Sequence, residues 1–190
     1  MSTRHPSRII GSYRHSWTTG AVTTIAAGTA TAGHLLALRY ATADKAALVK
    51  SLEVSFLLTT AFGAAQRVGY DVVLARTYSA AHSGATALTM TGGTKNAGYA
   101  APLLTGRIAD AGALTAGTHT FDANPVCKES FWCSAIGAKM GPTFYDFAAS
   151  EQKGLLLLAD EGLVVRNVTL MGATGVGEWV FTCEWDEVEL

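Results

Sequence analysis

The side chains best equipped for chemistry in this 190-residue sequence are five histidines, three cysteines and fifteen acids. The histidines, His5, His15, His34, His82 and His119, stand far apart. No HxH or HExxH pair places two imidazoles on one face of an element. His34 and His119 could meet in space, but a lone histidine on a strand or loop is ordinarily structural or solvated, so no metal ligand is expected. Cys127 and Cys133 bound CKESFWC, a spacing that fits neither a CxxC redox pair nor a zinc knuckle. With Cys183 the count is odd, and reduced, partly buried thiols are expected. TGGTKNAG has glycines and a lysine without Walker spacing or a following helix, and no GxSxG elbow occurs. Asp110 and Asp122 lack the dense oxygen array that calcium needs. The sequence therefore predicts no catalytic residues, no cofactor and no enzyme.

Composition narrows the classes further. Charged residues are 15% of the chain against roughly 25% in an average soluble domain, with 49% hydrophobic and mean hydropathy +0.24. So little charge suits either burial of much surface against partners or an Ala, Gly and Thr-rich coat. The net charge of −1 argues against nucleic-acid binding through a globally basic surface. No apolar run is long enough to span a bilayer, and the first residues lack a signal-peptide core, so a soluble protein made in a cytoplasm is expected.

These residues need a scaffold, and alternation supplies it. Residues 1–16 form an expected extended basic arm, in which Arg4, His5, Arg8, Arg14 and His15 precede any acid. These five are candidate partner-binding residues, and the acidic C-terminus (Glu178, Glu184, Asp186, Glu187, Glu189) reads as a solvated strand face that a neighbour's arm could meet. Residues 17–190 read as one β-sandwich domain. Short strands are expected at 22–25, 87–90, 104–109 and 118–121, and a first core strand at 34–41. In 42–62, after at most one helical turn, Leu48, Leu52, Val54, Phe56 and Leu58 share a face, with Lys50 the exception. In 67–80, Val68, Tyr70, Val72, Leu74, Arg76 and Tyr78 do the same.

Residues 126–149 hold Phe131, Trp132, Phe144, Tyr145 and Phe147, broken by Gly137, Gly141 and Pro142. This reads as an aromatic-rich insertion loop, with Phe131, Trp132, Phe144 and Tyr145 as candidate partner contacts or core plugs. In LLLLADEGLVVRN, residues 155–158 read as a strand, 159–162 as a turn with Gly162 at positive φ, and 163–171 as the next strand. EWVFTCEWD alternates Trp179, Phe181, Cys183 and Trp185 on one face. Three Gly-separated strands at the C-terminus point to an all-β, antiparallel sandwich.

LLALRYATADKAALVKSLEVSF, VGYDVVLARTYSAAHSGATALTMTGGTKN, ALTAGTHTFDANP and LLLLADEGLVVRNV…GEWVFTCEWDE, in that order, resemble a group of tailed-bacteriophage virion structural proteins of the capsid decoration, or cement, type. The resemblance implies a jelly-roll-like sandwich that forms a homotrimer on the capsid surface and contacts the major capsid protein. A tail or head-fibre component, and a trimeric ligand-binding sandwich of the C1q or TNF type, are the alternatives.

Overall fold

A computed structural model describes residues 8–20, 33–96, 98–110, 113–115, 117–133, 139–148, 154–171 and 174–190. Its strands are β1 (Arg8–Thr18), β2 (His34–Tyr40), β3 (Lys45–Thr60), β4 (Gln66–Ala80), β5 (Ser83–Gly84), β6 (Thr86–Ala87) and β7 (Thr105–Ile108). They continue with β8 (Leu114–Thr115), β9 (Thr118–Phe121), β10 (Cys127–Cys133), β11 (Lys139–Asp146), β12 (Leu155–Leu157), β13 (Glu161–Asn167) and β14 (Val176–Glu189). One sheet runs β1-β14-β3-β11, with β12 also on β3. The other runs β10-β4-β13-β2-β7-β6, with β9 also on β4. Each pairing is antiparallel. Counted in chain order, β1, β2, β3, β4, β10, β11, β13 and β14 are strands one to eight of the two facing sheets. They lie in the orders 1-8-3-6 and 2-7-4-5, which is the strand order of a jelly roll.

The sheets close on an aromatic core. Trp179 has the rings of Phe56, Tyr70 and Phe131 at 4.7, 5.6 and 6.4 Å, and Trp185 stacks on Tyr13 at 5.3 Å. Burying each such ring contributes about 1.5–3 kcal/mol. The alternation of β14 is as expected, with Trp179, Phe181, Cys183 and Trp185 fully buried. All three cysteines are free thiols, and burial pushes Cys127 and Cys183 up to about 12.

Several expectations are corrected. Residues 8–18 form an edge strand on β14 of the same chain, with Arg8 opposite Glu189 and Arg14 opposite Glu184. The arm from Arg8 onward is thus part of the sandwich, because Gly11, Tyr13, His15 and Trp17 alternate toward the core like any strand. Residues 1–7 and the strand expected at 22–25 lie outside the described residues. The acidic strand face is not all solvated: Asp186 and Glu187 are buried, Asp186 beside Lys50 Nζ at 2.7 Å. β3 is strand from Lys45 onward, in keeping with the expectation of a strand after at most one helical turn.

Two of the bulges change which face the expected alternation presents. Val49 opposes Trp185 and Ser51 opposes Glu184, so Lys50 is an extra residue. Ala47 and Val49 face the core before it and Leu52, Val54 and Phe56 after it, which turns Leu48 away from the core. In β4 the pairing with β9 slips after Arg76, Thr77 takes φ +47°, and Tyr78 turns to the outer face of its sheet. At the 155–167 reversal it is Asp160, at φ +57°, that takes the left-handed conformation. Gly162 is instead a residue of β13 where a Cβ would lie 2.2 Å from the Leu38 carbonyl oxygen. The two strands flanking this turn do not pair with each other, because β12 belongs to one sheet and β13 to the other.

Candidate functional site

The chain between β4 and β10 crosses the outer face of the β10-β4-β13-β2 sheet. It pairs β7 with β2 on one side, then returns to pair β9 with β4 on the other. Small side chains on the sheet permit this close approach. Ala37, Val73, Ala75 and Val164 form a second apolar cluster there, filled by Tyr78, Ala109 and Leu114. The jelly roll therefore carries a minor core outside its major one.

Three histidines converge in that layer. His34 is the first residue of β2, where a bulge opposite Val165 and Arg166 turns its ring to the outer face. His82 lies just past β4, and His119 lies in β9. His34 Nδ1 and His82 Nε2 share a hydrogen bond of 2.7 Å. The His82 ring stacks on His119 at 5.0 Å, and the His34 and His119 centroids are 5.6 Å apart. One ligand nitrogen from each ring falls within 4.8 Å of the other two. The Tyr78 hydroxyl bonds His82 Nδ1, which directs Nε2 of that ring toward its neighbours. Phe121 closes the group, 4.5 Å from His119 and 5.5 Å from His34. Gly117, at φ +112°, leaves room for the His82 ring, which a Cβ would meet at 3.2 Å.

Burial favours the neutral form of the His82 and His119 rings. Burial pushes His82 down to about 4, with the neighbouring His119 as the smaller cause, and burial also lowers His119. Neutral imidazoles present lone pairs, the form in which histidine binds metal. His34 and His82 are fully buried and His119 partly so. His82 also lines a largely apolar cleft of about 370 Å³ with Arg39, Leu88 and Arg107. The sequence allows His34 and His119 to meet in space, as their rings do, but expects each to be structural or solvated, and it misses His82 and so the cluster. No spacing signal marks it, since the three residues are united only by the long β4–β10 connection.

The candidate partner contacts separate into two kinds. The expected aromatic loop is strands β10 and β11, joined through residues 134–138, which lie outside the described residues. CKESFWC alternates, so Phe131 turns inward onto Phe56 at 5.4 Å while Trp132 turns out, 72% exposed. Tyr145 likewise turns inward and its hydroxyl bonds that of Tyr70 at 2.9 Å, whereas Phe144 is 60% exposed. Among the described residues β10 and β11 each pair on one side only, and both open edges lie on the same side of the sandwich. The opposite edge strand, β1, is covered: Arg14 N–H donates to Gly93 O and Lys95 N–H to Ser12 O, both at 2.9 Å.

Of the candidate arm residues, Arg4 and His5 lie outside the described residues. Arg8 is exposed, and Arg14 stands 4.0 Å from Glu53. His15 stacks between Trp17 at 5.7 Å and Trp185 at 5.8 Å. The structure thus leaves Arg8, Arg14, Trp132 and Phe144 open to a partner and commits His15, Phe131 and Tyr145 to the fold. No protein-family profile matches the chain, and no curated protein matches it.

Proposed function

We propose that this protein is a non-catalytic structural component of a tailed-phage virion that decorates the capsid, docking its β10–β11 side on the major capsid protein. The observation that carries the reading is the pair of adjacent open sheet edges, each bearing one large exposed aromatic, on a jelly-roll body. Unpaired edges are templates for a further strand, and exposed Trp is enriched at interface hot spots. The jelly-roll order suits a protein that packs in symmetric arrays, and low overall charge suits surface buried between copies. The resemblance in sequence points to the same class, including a trimer on the shell.

The mechanism is thermodynamic. A protein that binds the mature shell and not the separated capsomers stabilises the shell by mass action, and many copies multiply a weak contact. The test is addition of purified protein to capsids that lack it. Occupancy and capsid melting temperature rise together under this reading, and the Trp132→Ala, Phe144→Ala double variant lowers occupancy at least tenfold. Absence of both rises rejects it. Glycan binding without shell affinity would indicate a ligand-binding sandwich instead.

A further inference from the structure

We infer that His34, His82 and His119 form a binding site for one divalent transition-metal ion of the zinc class, which clips the β4–β10 connection to the jelly-roll body. The donors are three imidazoles, a set that suits zinc, copper and nickel and disfavours calcium and magnesium. Their geometry is close to that required. A tetrahedral zinc with Zn–N bonds of about 2.0–2.1 Å separates its nitrogens by about 3.3 Å. His34 Nδ1 and His82 Nε2 are at 2.7 Å and open by about half an ångström, while the third nitrogen, within 4.8 Å, closes in.

A supporting contact of the kind metal-binding histidines use is already in place. Histidine ligands hand their second nitrogen to an oxygen partner, which fixes the ring and its tautomer. The Tyr78 hydroxyl occupies that position on His82 Nδ1. When its oxygen accepts the Nδ1 proton, the Nε2 lone pair points at His34 and His119. His119 Nδ1 is buried with no hydrogen-bond partner among the described residues. Such an atom costs free energy unless something satisfies it. The fourth position is left to solvent or a small anion.

The placement gives the ion a structural task. His34 belongs to the body of the sheet, His82 opens the connection and His119 lies near its end. One ion therefore ties together segments 48 residues apart, His34 to His82, and the whole β5–β9 layer between His82 and His119. Closing such loops is where a metal clip stabilises most. The inference is independent of the docking proposal and concerns the opposite side of the β10-β4-β13-β2 sheet from the major core.

The test uses the full chain without an affinity tag, stripped with a chelator and titrated with Zn²⁺ and Co²⁺. One ion per chain is expected, with cobalt giving the intense visible absorption of a tetrahedral site. The melting temperature rises by about 5–10 °C at zinc ~100-fold above its Kd. His119→Ala weakens binding at least tenfold, and His15→Ala leaves it unchanged. His119→Cys retains binding and adds a sulfur-to-cobalt charge-transfer band. X-ray absorption on the zinc-loaded wild type finds three imidazoles, a readout that needs no variant to fold. Substoichiometric zinc, no melting shift, or equal binding by wild type and His119→Ala overturns the inference.

Discussion

Arg166 clasps Asp71 through two parallel hydrogen bonds, Nε to Oδ1 at 2.8 Å and an Nη to Oδ2 at 2.5 Å, linking β13 to β4. Both side chains are largely buried, at 12% and 8% exposure, beneath β9. The guanidinium also lies 4.9 Å from the centroid of Phe121. Removing one partner leaves a buried charge uncompensated. Arg166→Ala should therefore cost about 3–5 kcal/mol. Replacing both by apolar side chains of similar volume, Arg166→Met with Asp71→Leu, should cost far less. Urea denaturation of the two variants decides it, and equal losses would reject the reading of the pair as a buried ion pair.

Neighbouring aromatics on β10 should behave oppositely. Phe131→Ala removes a ring packed on Phe56 and Trp179 and should destabilise by about 2–4 kcal/mol. Trp132→Ala removes a ring that is mostly in solvent and should change stability by less than about 0.5 kcal/mol. Thermal melts of the isolated variants make the comparison, and a large loss for Trp132→Ala would place that ring in a packed environment.

Why the strands were legible and the cluster was not follows from how each is encoded. Alternation in β14 reaches the sequence directly, because period two and burial on one face coincide from Val176 to Trp185. β4 alternates in residue type up to its bulge, although both its faces are buried from Val68 to Ala75. The bulges at Lys50 and Thr77 leave no compositional trace, since one extra residue of any type shifts the phase. The unbroken alternation consequently predicts the wrong face for Leu48 and Tyr78. In β10 and β11 the inward residues are few and Gly141 and Pro142 interrupt them, so aromatic content suggests a loop where there is an edge strand. Arg8 and Arg14 sit on the solvent face of β1, and they obscure the Gly11, Tyr13, His15 and Trp17 alternation that binds it to β14. His82 joins its partners only through tertiary packing, which no local pattern reports.

Gly162 offers a sharp test of one such reassignment. Its backbone is not in the left-handed region, so the demand for glycine comes from contact and not from turn geometry. A methyl group there would lie 2.2 Å from the Leu38 carbonyl oxygen and 2.6 Å from the Tyr78 ring. The first neighbour is backbone of a paired strand and cannot rotate away. Gly162→Ala should cost about 3 kcal/mol, the upper end of ordinary overpacking. Asp160→Asn, at the residue that does carry positive φ, should cost about 1 kcal/mol or less, because asparagine tolerates that conformation and only the ion pair with Arg39 at 2.7 Å weakens. Cm values from chemical denaturation rank the two. The opposite ranking would return the turn to Gly162.

Glu187 sets a pH dependence whose sign is fixed by its surroundings. Its carboxylate accepts the backbone N–H groups of Leu103 and Leu104 at 2.7 and 3.0 Å, yet burial dominates and pushes its pKa above the ordinary carboxylate value. The folded chain therefore holds this proton to higher pH than the unfolded chain does. Stability from that difference is present below the unfolded value and is lost as pH rises through the folded one. Glu187→Gln keeps an oxygen to accept from the same two N–H groups and never ionises. The variant should match the wild type at acid pH and become the more stable of the two as pH rises toward neutrality. Urea denaturation of both proteins across that range measures the gap. If the gap stayed constant, or the wild type gained on the variant with rising pH, then the two N–H donors and not burial would govern this carboxylate.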